Sequence, residues 1–251
     1  MFPYKDDNPT VLTPYVTVGF IVLNVLVWVF VQGAGFSDQL VRSVCALGLI
    51  PGELLGRATP GAGVELAPGM MCVIENHPRY GTILSSMFLH GGWVHLIGNM
   101  VFLWVFGNNI EDAMGHGRFV VFYLLCGAAA AGAQILVAPA SMVPMVGASG
   151  AISGVLGAYI LLYPRVRVHV LIFLGFFATT VVMPAYFMLG YWILLQILGG
   201  IPALAEMESG GVAVWAHIGG FFAGMLFIRL FSKPENLLRR PVPVHDYRWG
   251  R

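Results

Sequence analysis

The stretch Gly147-Ala148-Ser149-Gly150-Ala151-Ile152-Ser153-Gly154 decides how this chain is read. It sets a serine between glycines at the start of an apolar segment. Small residues continue from it at helical spacing: Ser149, Ser153 and Gly157 follow i, i+4, i+8, with Gly150 and Gly154 on the adjacent stripe. Small-xxx-small faces let helices in a membrane approach closely. A serine on such a face becomes a nucleophile only when a base can reach it. The one histidine deep in a later apolar segment is His217, in Ala216-His217-Ile218-Gly219-Gly220-Phe221-Phe222-Ala223-Gly224. His217, Gly220 and Gly224 share a face at i, i+3, i+7. The expectation is that Ser149 and His217 meet inside the bilayer as nucleophile and base.

Composition places both segments in lipid. Of 251 residues, 58% are hydrophobic and only 10% charged, and the mean hydropathy is +0.80. Soluble domains carry about 25% charged residues. The runs Phe119–Pro164, Val168–Ala205 and Ser209–Ile228 contain no Asp, Glu, Lys or Arg, and a spanning helix needs about 20 apolar residues. The expected fold class is therefore an all-α polytopic membrane protein. A net charge of +1 without a basic cluster argues against nucleic acid, and the lipid bilayer is the expected surrounding partner.

Read in order, a short segment 1–13 is expected to precede span 1 at about Pro14–Val31, a retained span rather than a cleaved leader. A loop over 34–82, broken by Pro51-Gly52, Pro60-Gly61 and Pro68-Gly69, is too interrupted to cross. Span 2 begins between Ser85 and Trp93 and ends near Asn109, before a polar stretch holding Glu111, Asp112 and His116. Span 3 is Phe119–Val137, and span 4 about Met145–Tyr163. The apolar stretch 168–183 is read as membrane-lying, with Pro184 dividing it from span 5 at Ala185–Leu198. Span 6 is about Val212–Leu230, followed by a polar tail over 232–251. Seven spans is the alternative count.

Charge asymmetry favours six. With both ends inside, Lys5, Arg118, Arg165, Arg167, Arg229, Lys233, Arg239, Arg240, Arg248 and Arg251 are internal, and only Arg42, Arg57 and Arg79 are external. That is the skew of the positive-inside rule. Cys126 lies in a span, whereas Cys45 and Cys72 share the long loop; they pair in an oxidising compartment or remain two isolated thiols.

In this topology spans 2, 4 and 6 run in the same direction, and His95, Asn99, Ser149 and His217 fall at similar depth. Ser149 is expected about five residues into span 4, roughly 7 Å down. His95 and Asn99 share a face at i, i+4, and their N–H groups, with the Ser149 backbone N–H and the positive end of the helix, suit an oxyanion. Glycine stripes by themselves are ordinary packing devices, so Gly150, Gly154, Gly220 and Gly224 are read as helix contacts. Asn24, Gln134 and Gln196 are read as packing polars, and His90 as part of an interfacial turn with Gly91-Gly92.

Three stretches, His90-Gly91-Gly92-Trp93-Val94-His95-Leu96-Ile97-Gly98-Asn99-Met100, Gly147–Gly154 and Ala216–Gly224, closely resemble the rhomboid family of intramembrane serine proteases. With the six-span layout the resemblance covers about residues 14–230. It implies a six-transmembrane-helix bundle of the bacterial type, in the inner (plasma) membrane with cytoplasmic termini. It also implies a catalytic dyad of Ser149 and His217, an oxyanion site including Asn99 and His95, and cleavage of single-span membrane proteins near the outer end of their helix. Two positions depart from the family pattern. Where relatives often carry Trp-Arg in the first loop, this chain has Gly81-Thr82, with Arg79-Tyr80 just upstream; four residues after the serine, where relatives often carry an aromatic, it has Ser153.

No carboxylate is expected in the spans to hold the ring of His217. Ser153, one turn from Ser149 on the same face, is either the acceptor for the second His217 nitrogen, directly or through a water, or a small packing residue. No cofactor or metal is expected: a His-Glu-x-x-His zinc motif is absent, and an aspartyl mechanism lacks its two carboxylates. A transporter with His217 in a proton path would bring paired ionisable groups or a repeat, and neither is found. A catalytically silent rhomboid-like binder of membrane helices would lack the nucleophile or the base, and both are present.

Overall fold

The structure, a computed structural model, describes residues 2–174, 177–203 and 213–238. Strand β1 (Phe2–Asp6) leads to helix α1 (Tyr15–Leu26), which continues through a π-helical turn to Val31. The loop region holds α2 (Ser37–Leu47), α3 (Pro51–Leu54), the hairpin β2 (Gly63–Ala67) and β3 (Met70–Val73), and α4 (Thr82–Ser85). Helix α5 (Trp93–Phe102) runs through a second π-helical turn into α6 (Asn108–Met114). Then come α7 (His116–Val137), α8 (Ser149–Leu162), the strands β4 (Arg167–Leu174) and β5 (Phe177–Pro184), α9 (Ala185–Ala203), α10 (Val214–Phe231) and α11 (Pro234–Leu238).

The fold is mostly helical. By length and composition α7 and α10 can each cross a membrane, and Thr82–Phe88 with Trp93–Met114 qualify together across a 91° bend. Tyr15–Val31, Ser149–Leu162 and Ala185–Ile201 are apolar but shorter. At 1.5 Å per residue, α8 is only about 21 Å long, less than the roughly 30 Å of a hydrocarbon core.

The all-helical expectation requires correction at residues 168–183. Residues 168–174 and 177–183 lie in two antiparallel strands, with β1 adding a third in the order β1-β4-β5. The composition explains it: Val168, Val170 and Ile172 alternate with His169 and Leu171, and Thr179, Thr180, Val181 and Val182 are β-branched, which suits a pleated surface. Val168 and Val170 are fully buried. Averaged hydropathy cannot separate such a hairpin from a membrane-lying segment. The N-terminal residues are docked by the same sheet. Tyr159 of α8 donates its hydroxyl to Asp6, and Asn109 Nδ2 donates to Asp6 at 2.9 Å. His169 Nε2 lies 2.9 Å from Asp7, and Arg167 pairs with Asp7 at 3.1 Å. The hydrogen bond from His169, aided by the charges of His169, Arg167 and Lys5, holds the Asp7 carboxyl below its ordinary value. A lowered carboxyl stabilises the folded state at neutral pH and loses that contribution only as pH falls through its folded value.

A second correction concerns Glu111 and Asp112. They belong to the helical rod itself, which runs on to Met114 rather than ending near Asn109, and are 0% and 2% exposed. Glu111 accepts the backbone N–H groups of Val16 (2.9 Å) and Thr17 (2.7 Å) and the Thr17 hydroxyl (2.6 Å). His116 Nδ1 also contacts it. Asp112 accepts from Val11 and from Leu12 (2.7 Å). The first N–H groups of a helix have no intrahelical acceptor, and α1 has no side-chain cap of its own. Glu111 is therefore the cap of α1, supplied from another helix and favoured by its positive end, while Asp112 fixes the segment that leads into it.

The loop region is tied to the segment that precedes α8. Cys45 and Cys72 form a disulfide with 5.2 Å between their Cα atoms. Arg79 pairs with Glu53 and donates to the carbonyls of Cys45 (3.0 Å) and Ala46 (2.8 Å). From this clipped unit Leu49 bridges Met145 in both directions, at 3.0 and 2.7 Å, and the Gly52 N–H donates to Ser141 at 2.8 Å.

Glycines set the central contact. A Cβ on Gly220 would overlap the Gly150 carbonyl, one on Gly224 the Gly154 carbonyl, and one on Gly157 the Phe221 carbonyl. Helix α7 closes on the same seam: a Cβ on Gly219 would strike Ala133, and one on Gly154 would strike Cys126. Backbone thus lies directly on backbone between α8 and α10. Gly224→Ala should force the helices apart and cost about 1–3 kcal/mol, the usual range for overpacking. The control is Gly132→Ala, a position with nothing within 4 Å of its added Cβ. Thermal unfolding in detergent should show a lower midpoint for Gly224→Ala alone; equal midpoints would refute the contact.

Candidate active site

Gly147 sits at φ +135°, a conformation that a side chain disfavours. A Cβ there would come within 2.9 Å of His95 Nε2 and 3.4 Å of Ser149 Oγ, so both polar atoms crowd a position that only glycine leaves clear. Its N–H donates to the Ser86 carbonyl at 2.9 Å, fixing the turn. The helix then begins at Ser149 itself, with Ala148 as N-cap. This corrects the expected register: Ser149 is the first helical residue rather than the fifth of a longer span, because Met142–Ala148 is drawn out by the bridge at Met145. Its backbone N–H consequently has no intrahelical acceptor.

Ser149 Oγ lies 2.8 Å from His217 Nε2, although 68 residues separate them. On α5, the Gly91 N–H donates to His95 Nδ1 at 3.3 Å. In neutral His95 the proton then resides on Nε2, the atom nearest Gly147. Asn99 is buried, and its Nδ2 has no hydrogen-bond partner among the described residues. The two ends of α5's approach are also held: Gln32 exchanges two 2.7 Å bonds with the His90 backbone, and the His90 ring packs edge-on against His95 at 5.1 Å. His90 is fully buried, deeper than an interfacial turn implies.

Ser149, His217, His95 and Asn99 all line one cavity of about 910 Å³. Trp93, Trp192, Trp215 and Gln134 line it too, and among the described residues no Asp, Glu, Lys or Arg does. No group of three or more His, Cys, Asp or Glu among the described residues could hold a metal.

The structure does not put Ser153 at the far side of His217. Its hydroxyl donates back to the Ser149 carbonyl at 2.6 Å, the i to i−4 bond open to serine in a helix. Gln196 of α9 stands there instead, with Oε1 2.8 Å from His217 Nδ1. One turn earlier on α9, the Trp192 ring lies 5.9 Å from the imidazole at 41°. Sequence reading treated Gln196 as packing. The available signal was the i, i+4 pair Trp192 and Gln196, an aromatic and an amide on one face of a charge-free run.

Comparison with known proteins places the chain in a family. Residues 77–234 match the rhomboid domain. The chain is 33% identical over 153 residues to Rhomboid protease GluP of Bacillus subtilis (strain 168), covering 61% of this chain and 26% of that protein. It is 30% identical over 175 residues to Rhomboid protein 1, mitochondrial, of Saccharomyces cerevisiae, covering 67% and 46%. Against Rhomboid-like protein 11, chloroplastic, of Arabidopsis thaliana it is 28% identical over 171 residues, covering 63% and 55%. The chain thus spans between about a quarter and just over half of each of these relatives. With its apolar helices and the rhomboid domain across most of its length, the chain is a membrane protein that belongs to the rhomboid family.

Proposed function

We propose that the chain is an intramembrane serine endopeptidase that cleaves transmembrane proteins near the outer end of their spanning helix. The observation that carries this reading is the 2.8 Å approach of Ser149 Oγ to His217 Nε2 inside a cavity bordered by apolar helices. Ser149 Oγ attacks the scissile carbonyl while His217 takes its proton. The oxyanion that develops meets three donors: His95 Nε2–H, Asn99 Nδ2–H and the Ser149 backbone N–H at the positive end of α8. His217 then returns the proton to the leaving amine. Water hydrolyses the acyl ester on Ser149, entering through the cavity, the one kind of place where water and irregular backbone are tolerated at membrane depth.

The same reading sets the topology. Six crossings, both termini cytoplasmic and the disulfide-clipped unit over 34–82 outside suit the distribution of Lys and Arg. A bacterial inner (plasma) membrane, with its oxidising outer side, suits the Cys45–Cys72 disulfide. Ser149 at the outer end of α8 would then meet the outer part of a substrate helix.

Ser149→Ala should abolish cleavage of a single-span membrane substrate by the purified protein while leaving its thermal midpoint within the small change expected for losing one oxygen. Undiminished cleavage would end the serine mechanism. A wild-type chain that binds single-span proteins but never cleaves them would identify a silent helix binder. Asn99→Ala should lower kcat about 10²–10³-fold, the usual effect of removing one oxyanion donor. A change confined to KM would assign Asn99 to substrate binding.

A further inference from the structure

We infer that Gln196 is a positioning residue for the reaction, the third member of a Ser149–His217–Gln196 relay; this rests on the serine-protease reading above. A neutral imidazole has one N–H and one lone pair, and the two are exchanged between its tautomers. Only the tautomer with its proton on Nδ1 leaves Nε2 free to accept the Ser149 hydroxyl proton. An acceptor at Nδ1 selects that tautomer. Gln196 Oε1 is such an acceptor, 2.8 Å from Nδ1, on the side of the ring opposite Ser149. A carboxylate in this role also stabilises the imidazolium that forms during the reaction. An amide supplies orientation and a dipole without placing a charge at membrane depth, where an ionised group is costly. Among the described residues no Asp, Glu, Lys or Arg lines the cavity, and an uncharged amide suits that surrounding.

The two contacts fix two different freedoms. Gln196 sets which nitrogen carries the proton and the rotation of the ring in its plane. Trp192, one turn away on the same helix, bounds the ring's tilt at 5.9 Å. Three helices therefore converge on one imidazole: α8 brings the nucleophile, α10 the base, and α9 the group that selects its tautomer. Ser153, which turns its hydroxyl to the Ser149 carbonyl, takes no part in this.

The test compares Gln196→Met, which keeps length and apolar packing but removes the acceptor, with Gln196→Glu, which retains an oxygen there. Cleavage of a single-span substrate in detergent gives kcat and KM. ¹⁵N-histidine NMR of the unreacted proteins, with His217→Gln for assignment, reads the tautomer directly. Gln196→Met should lower kcat about tenfold with KM within about twofold, and the His217 signal should lose its pure Nδ1–H character. Gln196→Glu should recover most of the lost rate. Wild-type kcat in Gln196→Met, or an Nδ1–H tautomer that persists in that variant, would overturn the proposal. An Nε2–H tautomer in the wild type would overturn it as well, since the amide would then be donating its NH₂ to Nδ1. Absence of cleavage by the wild type would instead remove the protease reading, and the tautomer comparison would still decide the contact.

Discussion

The structure depends on how closely the backbones of α8 and α10 lie. In lipid, apolar side chains gain little by burying against each other, and helix association relies on dispersion contacts and interhelical hydrogen bonds. Gly157 on one helix and Gly220 and Gly224 on the other leave out side chains that would hold the axes apart, and Gly150 and Gly154 leave room for α7 behind them. A residue at the head of each seam then falls within hydrogen-bond reach of the other. Ser149 is one position before Gly150, and His217 is three before Gly220. The separation of 2.8 Å at the site is thus a consequence of carbonyl-on-glycine contacts further along the same two helices. Helix α7 adds Cys126, Ala130 and Ala133 as small partners behind them.

Around that seam the chain uses fixed neighbours rather than charges. A π-helical turn and a 91° bend carry the rod that bears His95 and Asn99 past α8. Gln32 holds the His90 backbone, and Gly91 fixes the proton on His95. The turn before Ser149 is held by Ser86 and by Leu49, and Leu49 belongs to a unit closed by a disulfide and by Arg79. Elsewhere Glu111 caps α1, Asp112 holds the segment before it, and Asp6 and Asp7 dock the first strand.

What could be read in the sequence follows from how local each signal is. The seam was legible because five glycines on two segments repeat at helical spacing, each pattern set by residues within about two turns of one another. His217, Asn99 and His95 were legible because polar side chains are rare in apolar runs. The start of α8 at Ser149 was not, since it is imposed by Leu49, nearly 100 residues earlier in the chain, drawing Met145 into a bridge. The hairpin at 168–183 was hidden by hydropathy, which scores a β-branched strand and a membrane segment alike. Glu111 and Asp112 read as a polar stretch beyond span 2 because their partners, N–H groups among residues 11–17, leave no trace in sequence. Gln196 was overlooked for the same reason: its role is defined by a ring 21 residues away.

The central claim is that α8 and α10 make Ser149 an activated nucleophile paired to His217. Labelling with a fluorophosphonate probe, followed by mass-spectrometric mapping of the modified residue, tests it most directly. The account predicts modification at Ser149 alone in the wild-type protein, and its loss in a His217→Ala variant that retains the wild-type thermal midpoint. A folded wild-type protein that takes up no probe, or takes it up at another residue, would contradict the account.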